Sequence, residues 1–214
     1  MPLPMVHLAI AVGACAGGAC TGPSGEFLLG ALAPDAIHMR PGTSRVDKDA
    51  THIVVGRVEW PEGPVRAWLA GCRDATVPLR DLARGYAAHV LCDRLWGCNV
   101  FQAFRQAVPP DTDPAALRTL YYRETDQIDI DLYRTVPWRE EVWRLLAGAE
   151  SQDVPGLLTA GEIDAWRVRT LGWYDVPEHD PGIAPEYITR ERVEAYVEEA
   201  IRRVRGCAAT WPER

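Results

Sequence analysis

Residues 85–96 read Gly-Tyr-Ala-Ala-His-Val-Leu-Cys-Asp-Arg-Leu-Trp, an apolar stretch without proline and with a single glycine at its start. A plausible helix start precedes this stretch, so we expect one buried helix over residues 79–97. His89 and Asp93 are four residues apart, so their side chains project from the same face of that helix. Gly85, one turn earlier on this face, leaves room for another segment or a bound group to come close.

The imidazole of His89 and the carboxylate of Asp93 stand among alanine, valine, leucine and cysteine. Burying both groups without a strong partner is costly. A divalent metal ion is a partner that fits both side chains, and a hydrogen bond between the two within the helix is the simpler alternative. The stretch therefore indicates a candidate metal site.

The rest of the chain indicates an all-α fold, because apolar residues recur at helical spacing in most segments. Ser24 is a candidate N-cap of a short helix that Pro34 ends, and Asp113 with Pro114 begins a long helix. We expect further helices over residues 6–16, 25–32, 65–72, 114–133, 137–147, 159–171 and 189–204, and a loop over 176–185.

Length and composition predict one ordinary globular domain over residues 1–214. The formal net charge of −7 argues against non-specific nucleic-acid binding. No run of lysine or arginine resembles a membrane-binding patch, so we expect no stable membrane association.

Two features of the sequence indicate the cellular location: the spacing of the cysteines and the first apolar run. The six cysteines show no C-x-x-C spacing, which argues against a thiolate zinc site and against a compact disulfide framework. The apolar run over residues 6–20 has no basic residue before it, and the first arginine is Arg40, so an export signal is not indicated. We therefore expect a cytoplasmic protein.

Two further side chains complete a possible ligand set. Asp35 follows an apolar helix at a corner that Pro34 imposes, and His52 follows a short charged segment. With His89 and Asp93, they provide two imidazoles and two carboxylates, which suit Zn²⁺ or another late first-row divalent ion. His7, on the predicted first helix, could supply a third imidazole.

These motifs, taken in order, resemble the zinc-dependent phospholipase C family of bacterial proteins, and most closely its shorter, non-secreted members. The resemblance covers about the first half of the chain. It implies an all-helical bundle of the type shared with P1-type nucleases, and cleavage of phosphoester bonds at a metal cluster. It also implies that Asp35, His52, His89 and Asp93 surround one zinc ion, with Asp93 reaching towards a second ion near His7.

The chain departs from the secreted enzymes that it resembles. They have an N-terminal tryptophan whose amino group binds zinc, and they carry further histidines after the central helix. Here only His179 follows Asp93. We therefore expect one zinc ion, with a second possible if Glu124, Asp126 or Asp129 replace the missing histidines; otherwise these carboxylates form a solvated helix face.

The resemblance implies hydrolysis of a small-molecule phosphoester by metal-activated water. Asp35 or Asp93 could act as general base where the metal does not engage it, and His38 could position substrate or hydrogen-bond to Asp35. Arg40, Arg45 and Lys48 are either surface charges or the cations that a phosphoryl group requires.

Two other functions remain open from the sequence. One is a structural zinc site with four protein ligands, no open position and no catalysis. The other is a metallohydrolase that acts on a different bond, such as an amide.

Overall fold

The computed structural model of the chain describes residues 3–16, 22–54, 61–209 and 211. Those residues form helices joined by short connections, and their β pairing is limited to one isolated bridge between Val154 and Leu158. The all-α prediction is therefore confirmed. The α-helices are α1 (Pro4–Cys15), α2 (Gly25–Gly30), α3 (Arg45–Thr51), α4 (Glu62–Gly71), α5 (Val77–Trp96), α6 (Gln102–Ala107), α7 (Pro114–Thr135), α8 (Arg139–Gly148), α9 (Ala160–Trp173) and α10 (Arg190–Ala208).

Short 3₁₀ and π-helical turns occur between the α-helices. The predicted central helix is α5, and a π-helical turn, Gly97–Phe101, carries it without interruption into α6. Pro34 does not end the helical structure after α2; it stands in the first turn of a 3₁₀ helix, Ala33–Met39. The expected loop over residues 176–185 is irregular apart from the 3₁₀ turn Pro177–His179. Within the described part of the chain, no helix is both long enough and apolar enough for a bilayer crossing.

Caps predicted from the sequence begin two of the helices. The Ser24 hydroxyl accepts a hydrogen bond from the Phe27 N–H at the start of α2. The Asp113 carboxylate accepts from the N–H groups of Ala115 and Ala116 at the start of α7. These side chains satisfy backbone donors that a first helical turn leaves without partners.

Helices α2 and α5 cross where glycine allows their backbones to touch. A Cβ atom on Gly85 would lie 2.0 Å from the Phe27 carbonyl oxygen, and one on Gly30 would lie 2.0 Å from the Leu82 carbonyl oxygen. The expectation that Gly85 leaves room for another segment is therefore confirmed, and the segment is α2. This contact brings the Ala31 carbonyl, just beyond α2, against α5.

The N-terminus of α1 is held by a carboxylate from α7. Asp129 Oδ1 accepts from the Met5 N–H at 2.9 Å, and the Tyr174 hydroxyl donates to Asp129 Oδ2. An anionic or polar acceptor at this position satisfies a free donor of the first turn. Asp129 thereby fixes the end of α1 that carries His7.

The carboxylates of α7 are not the solvated helix face that the sequence suggested. Glu124 and Asp129 are each 2 % exposed. Glu124 accepts hydrogen bonds from the backbone N–H groups of Glu186, Tyr187 and Ile188. Their burial is possible because backbone donors replace water, which a helical pattern does not reveal.

Replacing Asp129 with asparagine is expected to flatten the pH dependence of stability. Burial raises the pKa of Asp129 to about 7, although the bonds from Tyr174 and Met5 act to lower it. The folded state therefore keeps a proton that the unfolded state has lost above about pH 4, so Asp129 costs the native state roughly 1.4 kcal/mol per pH unit up to neutrality. Urea unfolding at about pH 5 and about pH 8 measures this loss.

The matched control for this prediction is Asp111→Asn, since Asp111 is exposed. Asp111→Asn should keep the wild-type fall in stability between the two pH values. An Asp129→Asn protein with the same fall as the wild type would contradict a neutral Asp129 in the folded state.

Candidate metal centre

Five side chains from four parts of the fold come together, four of them buried and the fifth, that of Asp93, partly exposed. Helix α5 supplies two of them from a single face, and α1, the 3₁₀ helix after α2 and the end of α3 supply one each. The five side chains are the candidate metal ligands of the sequence: His7, Asp35, His52, His89 and Asp93.

The imidazole Nε2 atoms point at the two carboxylates. His52 Nε2 lies 3.5 Å from Asp35 Oδ1 and 3.4 Å from Asp93 Oδ2. His7 Nε2 lies 3.4 Å from Asp93 Oδ1. His89 Nε2 lies 4.0 Å from Asp35 and 3.9 Å from Asp93. The donor atoms form two overlapping sets, and within each set they lie within 4.8 Å of one another. One set is His7, His89 and Asp93; the other is Asp35, His52 and His89.

Backbone carbonyls fix the tautomers of two of these histidines. His89 Nδ1 lies 2.8 Å from the Ala31 carbonyl oxygen, and His52 Nδ1 lies 3.0 Å from the Lys48 carbonyl oxygen. A carbonyl only accepts, so both Nδ1 atoms carry a proton, and Nε2 is the nitrogen of each ring that can bind a metal. This arrangement is typical of histidines that bind metals through Nε2.

The converging atoms have no hydrogen-bond partner in the described part of the chain. The Nε2 atoms of all three histidines and one oxygen of each aspartate are buried and make no hydrogen bond with the described residues. Lone pairs that face one another in a buried site repel, and leaving such groups unsatisfied is costly. A divalent cation would satisfy the donor atoms of either set, and imidazoles with carboxylates are donors that zinc accepts.

The protonation states of His89 and of the two carboxylates match what a cation requires. Burial acts to lower the pKa of His52, but Asp35 and Asp93 outweigh burial and raise it, so an ion competes with a proton at this imidazole. Burial, together with the neighbouring His7, lowers the pKa of His89 to about 3, so this imidazole is neutral. Burial acts to raise the pKa of Asp93, but contact with His7 and the charges of the other histidines outweigh burial and lower it to about 2. Burial acts to raise the pKa of Asp35 as well, but the nearby His52 and the other surrounding histidines outweigh burial and lower it. Ionised carboxylates and a neutral imidazole are the forms that bind metal.

The backbone after His52 is strained. Ile53 has φ of +49°, and its N–H and that of Val54 bond to the carbonyls of Ala50 and Asp49 in a helix-terminating motif where glycine is usual. A branched side chain in this conformation costs about 1–2 kcal/mol. Strain of this kind is found where the surrounding structure holds a functional residue in place.

Two polar side chains border the centre. Lys48 Nζ lies 4.0 Å from Asp35 Oδ1 and 3.3 Å from His38 Nε2, and His38 Nε2 lies 3.8 Å from Asp35 Oδ1. His38 is therefore placed to hold Lys48 and Asp35. Of the other cations noted in the sequence, Arg40 pairs with Glu162 on α9.

Lys48 is the site residue that the sequence left undecided. Its carbonyl orients His52 and its ammonium group borders Asp35. Both roles depend on α3, because Lys48 lies within it and His52, one turn later, caps its C-terminal end. The capping box formed by Ser44 and Asp47 at the start of α3 was the available sequence signal.

A cavity of about 530 Å³ opens beside the centre. His52 and Asp93 line it among the five candidate ligands, and so does Lys48. The α7 carboxylates Glu124 and Asp129, which the sequence suggested for a second metal, do not line this cavity. Neither these two nor Asp126 forms a possible ligand group with the histidines.

Comparisons of the chain with protein-family models, with curated proteins and with solved structures found no match. The resemblance to the zinc-dependent phospholipase C family rests on the motifs quoted above and stays a prediction.

Proposed function

We propose that the protein is a zinc-dependent hydrolase of small phosphoesters. The observation that carries this proposal is the set of five converging buried atoms without hydrogen-bond partners, next to a cavity. His89 belongs to both possible ligand sets, and its single Nε2 lone pair serves one ion, so we propose one zinc ion per chain. We also propose that the protein acts in the cytoplasm, as the sequence predicts.

The protein side chains have distinct roles in this reaction. Zinc in such a donor set supplies a Lewis acid and an activated water. Asp93 is the candidate carboxylate that lines the cavity; with Oδ1 among the converging donor atoms, its Oδ2 is left to accept a proton from an attacking water. Asp35 lies deeper, against His52 and Lys48, and orients both. The Lys48 ammonium group offsets the negative charge of the phosphoryl group.

The cavity also helps to distinguish a catalytic zinc site from a structural one. A structural site is closed by protein ligands, whereas a catalytic site keeps a position for water or substrate. Here His52 and Asp93 line a space of about 530 Å³. This space favours a catalytic centre.

The test compares zinc-loaded and metal-free protein on para-nitrophenyl phosphate, bis(para-nitrophenyl) phosphate and a para-nitroanilide. Release of nitrophenol by the zinc-loaded protein, lost in His52→Ala and kept in Asp111→Asn, is the expected result. Turnover of the anilide alone would favour amide hydrolysis. Zinc-loaded protein that releases no product, or a fully active His52→Ala protein, would contradict a hydrolase at this centre.

Lys48→Met is expected to raise KM for a phosphoester while zinc content stays unchanged. The substitution removes the ammonium group that borders Asp35 but keeps the carbonyl that orients His52. Loss of a charge-assisted contact of about 1.5–3 kcal/mol corresponds to a fall in kcat/KM of roughly tenfold to a hundredfold.

Steady-state kinetics with elemental analysis measures both quantities for Lys48→Met. The control is Arg66→Met, an exposed cation on α4 that does not line the cavity. Unchanged kinetics in Lys48→Met would exclude this lysine from substrate binding, and zinc loss in the variant would mean that its role is structural.

A further inference from the structure

The cavity beside the candidate metal centre has a distinctly apolar side. Trp96, Phe104 and Tyr121 line it and are buried, and they form its floor. Phe101 and Tyr122 line it as well, but they are 40 % and 45 % exposed. The two rings therefore present exposed aromatic surface beside the cavity that a ligand could cover.

The rings of this side form one edge-to-face array. The Phe101 and Tyr121 ring centroids are 5.2 Å apart at 87°, and those of Tyr121 and Tyr122 are 5.4 Å apart at 71°. Aromatic pairs favour this geometry, and a further ring can join such an array. The Tyr121 hydroxyl already accepts a hydrogen bond from the Trp96 indole N–H at 2.8 Å, which anchors the centre of the array.

The charges around the cavity favour an anion. The chain has a net charge of −7, yet cations outnumber carboxylates among the described lining residues. Arg118 lies over the Tyr122 ring, 5.7 Å from its centroid, so one cation borders the aromatic side. The charged lining residues are Arg45, Lys48, Arg94 and Arg118 against Asp49 and Asp93.

The polar groups of this lining are mostly charged side chains. None of the described residues around the cavity is serine, threonine, asparagine or glutamine. A ribose placed against the aromatic side would bury its hydroxyl groups against rings that offer few hydrogen-bonding partners, which costs affinity. The volume of about 530 Å³ suits one small ligand.

We propose that this cavity selects aryl phosphoesters, with the phosphoryl group towards Lys48 and Asp93 and the aromatic ring against Phe101 and Tyr122. This inference rests on the proposed function, because it names the substrate class of the same centre. Phe101 and Tyr122 then act as specificity-determining residues, since they contact the part of the substrate that does not react.

A binding experiment tests the selection without requiring turnover. Calorimetry on the zinc-loaded protein compares phenylphosphonate, methylphosphonate and adenosine monophosphate, the first two of which share the same anionic group. Burying one ring against the aromatic side should make phenylphosphonate bind roughly tenfold more tightly than methylphosphonate. Adenosine monophosphate should bind more weakly than phenylphosphonate.

The variants Phe101→Ala and Tyr122→Ala should remove most of this preference. Both rings are substantially exposed, so the fold should tolerate their loss, and the exposed Val168→Ala on α9 is the matched control. Equal binding of the two phosphonates, binding of neither, tight binding of the nucleotide, or an unchanged preference in both variants would overturn the inference.

The two proposals can fail separately. Preferential phenylphosphonate binding with no hydrolysis of any ester would leave the aryl-selective cavity standing and would contradict the hydrolase. Hydrolysis with equal affinity for the two phosphonates would leave the hydrolase standing and would contradict aryl selection.

Discussion

Chelation of zinc is expected to lower the midpoint of thermal unfolding by about 10 °C or more. Without a cation, the five converging donor atoms are buried and have no hydrogen-bond partner among the described residues. Each such group costs about 1–3 kcal/mol, and a cation that binds only the folded state removes this cost. Thermal unfolding followed by circular dichroism, with and without a chelator, measures the shift.

The Asp93→Asn variant separates the centre from other effects of the chelator. Asp93 borders His7, His52 and His89, so its amide replacement should abolish zinc binding. The chelator should then produce little further shift. Asp74→Asn, on the exposed surface, should respond as the wild type does. A wild-type midpoint that does not change on chelation would contradict a metal that stabilises this fold.

Gly85→Ala is expected to destabilise the protein by about 3 kcal/mol or more. The added methyl group would lie 2.0 Å from the Phe27 carbonyl oxygen and 2.8 Å from the Ala31 nitrogen. Both are backbone atoms, so the clash can be relieved only if α2 moves away from α5. Denaturant unfolding gives the free energy, and elemental analysis should show less zinc, because the Ala31 carbonyl that orients His89 moves with α2.

Gly172→Ala is the matched control for this helix contact. Gly172 lies within α9, and a Cβ atom there meets nothing within 4 Å. Alanine should therefore leave stability unchanged or raise it by up to about 1 kcal/mol, as helix propensity predicts. A Gly85→Ala protein as stable as Gly172→Ala would contradict the close packing of α2 on α5.

Local signals explain why much of the fold was predictable. Proline after Asp113, the Ser24 cap and the helical recurrence of apolar residues depend on neighbours within a few positions. The 3₁₀ helix Ala33–Met39 and the short α3 were not predicted as helices, because helices of this length are stabilised mainly by tertiary contacts.

The candidate site was predictable only where its geometry is local. His89 and Asp93 share one helix face, so their proximity follows from the sequence. Asp35, His52 and His7 were candidates by residue type and context, and the family resemblance supported them, but spacing could not place them beside α5, because tertiary packing such as the α2–α5 contact decides their positions. The buried roles of Glu124 and Asp129 were missed because their partners are backbone N–H groups far along the chain.

Zinc content is the most direct test of the proposed metal centre. Elemental analysis of protein purified without chelators should give about one zinc ion per chain, and none in His89→Ala or Asp93→Asn. Asp74→Asn should retain the wild-type content. Wild-type protein without a transition metal, or variants that keep their zinc, would contradict the centre, and two ions per chain would contradict a single ion shared by the five side chains.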